Sequence, residues 1–380
     1  MKILVNATTL IVGGGIQVGI SFIEKAIEDM DKNSEINYCF LVSSQIYKQI
    51  GYAQKCKLIS FDRSPAHPLY GYKTRKKIRK IEENYKPDFI YSVGFPSYVK
   101  FQGIEIGRYT NPWEINTGIL PWHLYPRIND RLIVKAGILY RQYWAKKANY
   151  IETQTNLAKK GVVQRLKFSK QQVFVIPNTP NKVFIEAGKG VDIEQKQLQV
   201  ENNIFCLSAA YRHKNLEILP YIAFELKKIF DEFFLVNVTL PSESQIWKNI
   251  KQKAVQLGVE KNIKNLGFLT LEKCVDNYKD AKIILLPTQL EVFSATYLEA
   301  MAMKVPIVTS DLDFSHDNCD KAATYFEAGS AKEASKKIKK LFVNKKECTK
   351  KINAGLAQLA TYPDRDDKYQ MFIKMVKSLS

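Results

Sequence analysis

The chain has 380 residues, 46% of them apolar, enough to bury two cores of about 170 to 200 residues each. Fifty-seven Lys and Arg against 38 Asp and Glu leave a formal charge of +19, which points to anionic partners without naming one. No stretch reaches the roughly 18 apolar residues of a membrane span, and the apolar run in residues 1–12 breaks at Gly13-Gly14-Gly15 without a small-residue cleavage site, so the expected compartment is the cytoplasm.

Met1 to Asn6 predicts a first strand, Gly13-Gly14-Gly15 a turn and Val18 to Met30 an amphipathic helix. Tyr38 to Val42 predicts a second strand. Asp88 to Val93, after a Lys/Glu-rich helical stretch and a proline, predicts another whose end delivers Gly94. Residues 132–161 read as largely helical, with a short strand at Tyr150-Ile151-Glu152-Thr153. Val173 to Ile176 predicts a strand running into Pro177-Asn178-Thr179-Pro180, the preferred domain junction. After a polar stretch, apolar runs return at residues 204–207, 233–238, 263–267, 283–287 and 306–309, with helical segments between them. This βα repetition predicts an α/β chain with mainly parallel sheets and helices on both faces. Residues 352–380 read as helical with a break near Tyr362-Pro363.

The densest basic run is Lys73 to Lys80, with more positive charge at Arg141, Lys146, Lys147, Lys159 and Lys160. It reads either as a solvated face or as a surface for an anionic membrane. Tyr70, Tyr72, Tyr140, Tyr143 and Trp144 lie among the charges, and aromatic side chains suit the boundary between apolar and wet regions. Nucleic acid is disfavoured because no reading module is recognisable. Cys39, Cys56, Cys206, Cys274, Cys319 and Cys348 lack metal-ligand or paired spacing and read as scattered buried thiols.

The sharpest chemical signal is a pair of carboxylates, Glu291 and Glu299, following the apolar run Ile283 to Pro287. The run predicts a buried parallel strand, with Glu291 in the loop at its end and Glu299 in the next helix. Loop and helix N-terminus beyond such a strand are where an open α/β sheet holds anions. Two glutamates at this spacing are weak evidence alone. Together with Ala300-Met301-Ala302 and the strand starting at Pro306, the segment Leu285 to Ser310 closely resembles the signature of the retaining glycosyltransferases of family 4, the glycosyl transferases group 1. The family usually has glycine at the positions of Val292 and Lys304.

By that resemblance Glu299 would hold the ribose hydroxyls of a nucleotide and Glu291 the hydroxyls of the donor sugar near the reacting carbon. The backbone amides of Val292, Phe293 and Ser294 would face the pyrophosphate or the sugar. Ser208 to Glu217 looks like the family's phosphate-side loop: Lys214 matches the lysine that neutralises the diphosphate, and Arg212 stands in for an arginine usually found near Ala210. His213 would contact the nucleotide or orient the loop. Gly13-Gly14-Gly15-Ile16-Gln17 looks like the family's first glycine loop, which gives Gly14, Gly15 and Gln17 an acceptor-side place. Glu114 and His123 are further acceptor-side candidates, in a region where the family often supplies histidines.

The resemblance implies the GT-B fold, two Rossmann-like doubly wound domains facing across a cleft. Residues 1–178 would bind acceptor, 179–358 the nucleotide sugar, and 359–380 would return to the first domain as a helix packed through Tyr369, Phe372 and Ile373. It implies transfer of a sugar with retention to an acceptor hydroxyl. No metal or other cofactor is expected, since the nucleotide sugar is a substrate. The expected partners are that donor and a saccharide or lipid-linked oligosaccharide acceptor of surface polysaccharide synthesis, with the chain peripheral on the cytoplasmic face of the membrane. A nucleotide-sugar epimerase or phosphorylase of similar fold, and a noncatalytic sugar- or nucleic-acid-binding protein, are the alternatives.

Overall fold

The structure is a computed structural model that describes residues 1–11, 13–32, 35–50 and 57–380. The described chain forms two compact units. Met1–Ile119, Arg127–Asn178 and Pro363–Ser380 make the first; Leu120–Pro126 and Thr179–Tyr362 make the second.

The first unit is built on β1 (Lys2–Ala7), β2 (Asn37–Ser43), β3 (Lys57–Phe61), β4 (Phe89–Ser92), β5 (Ile104–Arg108), β6 (Tyr150–Thr153) and β7 (Val173–Val175). They form one parallel sheet in the order β3-β2-β1-β4-β5-β6-β7. Ile3, Leu4 and Val5 of β1 and Phe40, Leu41 and Val42 of β2 are all fully buried. Such unbroken apolar runs, without in-out alternation, mark strands covered on both faces. Gly13 takes φ +74°, a conformation that favours glycine, and the following helix Gly15–Asp31 already begins at the third glycine. The helix Arg365–Lys377 belongs to this unit: the Tyr369 and Tyr38 hydroxyls lie 2.8 Å apart, and the Phe372 ring meets Phe22 edge-on at 4.9 Å.

The second unit is built on β8 (Asn203–Cys206), β9 (Leu235–Val238), β10 (Ile263–Asn265), β11 (Ile283–Leu286), β12 (Ile307–Ser310) and β13 (Ala323–Phe326), parallel in the order β10-β9-β8-β11-β12-β13. Every residue of β11 and β12 is buried. The unit continues past residue 358 to Tyr362, because the helix Lys345–Leu359 packs through Gly355 on Met301 and the Tyr362 ring packs on Phe293. The return to the first unit starts at Pro363, between that helix and the Asp364-capped helix Arg365–Lys377.

Each sheet reverses its strand order once, between β1 and β4 and between β8 and β11. Loops leaving adjacent strands diverge there, so the carboxyl ends of those strands frame a crevice. The strands β3, β5 and β13 are not anticipated by the apolar-run reading. β3 and β13 are short and partly exposed, and β5 carries Glu105 and Arg108, both buried. Cys39, Cys206, Cys274, Cys319 and Cys348 are free and buried; Cys56 lies outside the described residues.

Candidate active site

In the second unit, the loops leaving β8 and β11 bring Lys214 and Glu291 together. A short 3-10 turn, Arg212–Lys214, follows β8 and ends at Asn215, whose φ of +54° reverses the chain; Asn tolerates that left-handed region better than most residues. The turn directs the Lys214 ammonium onto the Glu291 carboxylate in the loop after β11. The two loops are also joined through the backbone, since the His213 carbonyl accepts from the Gln289 amide at 2.8 Å and the Thr288 hydroxyl at 3.4 Å.

His213 is part of this fastening. Its ring lies parallel to Tyr211 at 5.5 Å, and burial, with the Lys214 ammonium beside it, pushes the imidazole down to about 4. It is therefore neutral near pH 7. Arg212 is exposed, with its guanidinium over the Tyr125 ring at 5.5 Å.

Glu299 sits in the helix Ala295–Ala302, and the Tyr278 hydroxyl donates to its Oε2 at 2.8 Å. Burial pushes this carboxyl up to about 7, against the lowering effect of the Tyr278 bond. The helix starts at Ser294 without a side-chain cap, which leaves its first amides open to an anion. Val292 is buried, and its carbonyl accepts from the Asn318 amide at 3.2 Å; Phe293 packs on Tyr362. Just beyond the helix's C-cap at Met303, Lys304 adopts φ +54°, the region that glycine occupies most readily. Its ammonium donates to the Val191 carbonyl at 2.6 Å. The position keeps a left-handed backbone with a lysine in it.

The site also uses residues the sequence reading passed over. Tyr278, from the helix Leu271–Asp280, orients Glu299 across 21 residues of chain, and Thr288 and Gln289 lock the loops. No spacing signal could have found Tyr278, because its role depends on how two helices pack. Gly188 is a supporting position: a Cβ there would lie 1.9 Å from the Ala302 carbonyl oxygen, so only glycine lets the helix Lys182–Lys189 reach the end of the Glu299 helix.

In the first unit, the loops after β1 and β4 meet where the Thr9 hydroxyl donates to the Gly94 carbonyl at 2.7 Å. A Cβ added at Gly13 or Gly14 would meet open space, and at Gly15 would touch Leu10 at 3.2 Å. Gln17 is exposed and donates to Gln49 at 3.1 Å. Glu114 corrects the expectation of an acceptor-facing carboxylate: it is fully buried, and Arg141 Nε donates to its Oε1 at 2.6 Å. Burial raises this carboxyl above its ordinary value while the Arg141 charge opposes the rise. Glu114 therefore braces its loop from inside. His123 is exposed and falls in Leu120–Pro126, which clusters with the second unit. Among the described residues, no group of three or more His, Cys, Asp or Glu is arranged to hold a metal ion.

Residues 190–358 match the family of glycosyl transferases group 1. A curated relative, the O-antigen chain mannosyltransferase RfbU of Salmonella typhimurium, is 21% identical over 196 residues, 52% of each chain, so the match spans about half the length of that relative. Among solved structures, a glycosyltransferase from Rickettsia africae superposes with a TM-score of 0.73 at 14% identity, covering 99% of this chain and 98% of that one. Anabaena Alr3699/HepE, in complex with UDP and glucose, superposes with a TM-score of 0.71 at 14% identity over 100% of both chains. These likenesses establish the architecture of two Rossmann-like units known as GT-B.

Proposed function

We propose that this chain, a GT-B protein whose second unit matches glycosyl transferases group 1, is a glycosyltransferase that moves a sugar from a nucleotide-sugar donor to an acceptor hydroxyl with retention at the anomeric carbon. The observation that carries the reading is the pairing of Lys214 with Glu291 at the strand-order reversal of the second sheet, beside the uncapped start of the helix that holds Glu299.

In this reading the Glu299 carboxylate accepts hydrogen bonds from the ribose diol, held in direction by Tyr278. The donor diphosphate competes with Glu291 for the Lys214 ammonium. As the phosphate takes the lysine, Glu291 is released to the sugar hydroxyls beside the anomeric carbon, where it also stabilises developing positive charge. Arg212 and the amides at the helix start, with those of Val292, Phe293 and Ser294, help hold the leaving group. The bond from the anomeric carbon to the diphosphate oxygen breaks and a bond to the acceptor oxygen forms on the same face. The acceptor proton passes to the departing diphosphate, so no separate base is needed and neutral His213 has a positioning role. Gly14, Gly15 and Gln17 supply part of the acceptor side. The acceptor class is a saccharide carried on a lipid, as in the assembly of a surface polysaccharide.

The test is thermal unfolding of wild type and Glu299→Ala with UDP-, GDP-, dTDP- and ADP-sugars, since a ligand that binds only the folded state raises the midpoint. A rise with one donor class that disappears in the variant is expected. An unchanged midpoint across the panel, with and without a saccharide acceptor, would remove the donor reading.

A further inference from the structure

We infer that the first unit carries a docking surface for an anionic lipid bilayer, formed by the helix Ile128–Ala145 and the loop that leads into Tyr72. This stands independently of the transfer reaction. Of the helix's 18 residues, Ala145 is the buried one. Ile128, Leu132, Leu139 and Tyr143 are between 57% and 73% exposed, and at about 100° per residue they fall within roughly 60° of arc. An amphipathic helix in a water-soluble unit turns its apolar stripe to the core; this one turns it out.

A second apolar patch lies beside it. Leu69, Tyr70 and Tyr72 are exposed, yet the loop that carries them is firmly fastened. The Arg75 guanidinium donates to the carbonyls of Pro65 at 2.7 Å, His67 at 3.0 Å and Pro68 at 2.6 Å. His67 Nδ1 accepts from the amides of Leu69 and Tyr70 at 3.2 and 3.0 Å. The Tyr140 hydroxyl, from the helix Ile128–Ala145, donates to the Ala66 carbonyl at 3.1 Å and ties that loop to the helix.

Charge identifies the occupant. The helix Tyr72–Tyr85 exposes Lys73, Lys76, Lys77, Arg79 and Lys80 next to the loop, and Lys146 and Lys147 are exposed at the end of the other helix. Across residues 127–147 a single acid, Asp130, stands against Arg127, Arg131, Lys135, Lys146 and Lys147, with Arg141 paired to Glu114 instead. An apolar protein groove would leave the basic rim unused, and nucleic acid would leave the isoleucine and leucines uncovered. A bilayer with anionic headgroups satisfies both, with apolar side chains entering about 5 to 10 Å and the lysines staying at the phosphates. Among the described residues, no helix is long and apolar enough to cross the membrane, so the contact is with its surface.

The experiment is co-flotation of the full chain, without donor or acceptor, with vesicles of roughly one part phosphatidylglycerol to three parts phosphatidylcholine, against phosphatidylcholine alone. Binding to the anionic vesicles alone is expected, weakening as salt rises from about 0.1 M to about 1 M. The triple variant Leu132→Ser, Leu139→Ser, Tyr143→Ser should bind at least about 10-fold more weakly, and Lys76→Gln, Arg79→Gln, Lys80→Gln up to about 100-fold more weakly. The charge variant stands on a different helix and keeps the test decisive if the apolar one misfolds. Equal binding to neutral vesicles, no binding, or full binding by the charge variant would overturn the inference. Binding of a vesicle-competing oligonucleotide that the apolar substitutions leave unchanged would overturn it too. None of these outcomes bears on the donor-induced rise in unfolding temperature, so the two readings fail separately.

Discussion

The Lys214 ammonium is paired with the Glu291 carboxylate across 77 residues of chain, joining the loop that leaves β8 to the loop that leaves β11. Both side chains are largely shielded, so each balances its partner's charge.

Loss of either partner should therefore have distinct kinetic effects with the donor that the thermal panel selects. Lys214→Ala removes positive charge from the diphosphate and should weaken donor binding at least about 10-fold while lowering turnover about 100-fold. Glu291→Ala frees the lysine for phosphate, so donor affinity should hold within about threefold while turnover falls about 100-fold. Steady-state kinetics with isothermal titration separate the two, and wild-type turnover in Glu291→Ala would end its assigned role.

In the proposed donor site, Glu299 should make binding depend on pH. Its carboxyl stands at about 7 in the folded chain, and the ribose diol needs the ionised form. Below that value a proton must leave on binding, so affinity should drop by up to about tenfold per pH unit, and above it affinity should level off. The sugar-linked diphosphate does not titrate in this range. Dissociation constants at several pH values should follow that curve in wild type and be weak and flat in Glu299→Gln; the same slope in both proteins would place the titrating group elsewhere.

Lys304 combines a strained backbone with a useful side chain. Lys304→Gly relieves the left-handed conformation, worth roughly 1 to 2 kcal/mol, and loses the bond to the Val191 carbonyl, worth about 1.5 to 3 kcal/mol for a charged donor. Lys304→Ala loses the bond and keeps the strain. Denaturant unfolding should rank wild type first, Gly slightly below and Ala at least about 1 kcal/mol lower than Gly; equal stabilities for Gly and Ala would refute the strain argument.

Glu105 should make the first unit less stable in base. Burial pushes its carboxyl from 4.5 to about 7, against the Ser92 hydroxyl that donates to it at 2.6 Å. A carboxyl raised on folding stabilises the folded state below the unfolded value, and that contribution is lost as pH climbs through the folded one. The loss is on the order of 3 kcal/mol between about pH 4.5 and pH 8. Glu105→Gln, which keeps a group the size of the neutral acid, should gain stability relative to wild type as pH rises from 5 to 8.5 by about that amount. An unchanged difference between the two proteins would show that Glu105 ionises without cost.

Unbroken apolar runs and glycine punctuation made most of the parallel strands legible, because a strand covered on both faces has no room for polar side chains. The same rule hid β5, whose Glu105 and Arg108 are buried but satisfied by Ser92 and Glu152. A satisfied buried charge looks like a surface charge until its partner is placed beside it. Glu114 poses the same difficulty, since its partner Arg141 lies on another helix.

The amino-acid sequence by itself determined the class of fold, the parallel βα order and the position of Lys214, Glu291 and Glu299 after their strands, since these follow from local periodicity and loop position. Only the tertiary structure decided that Lys214 meets Glu291, that Tyr278 governs Glu299 and that the helix Ile128–Ala145 shows its apolar stripe to solvent. Each of these depends on which elements pack together, a long-range outcome that hydrophobic periodicity constrains only to one face of one element at a time.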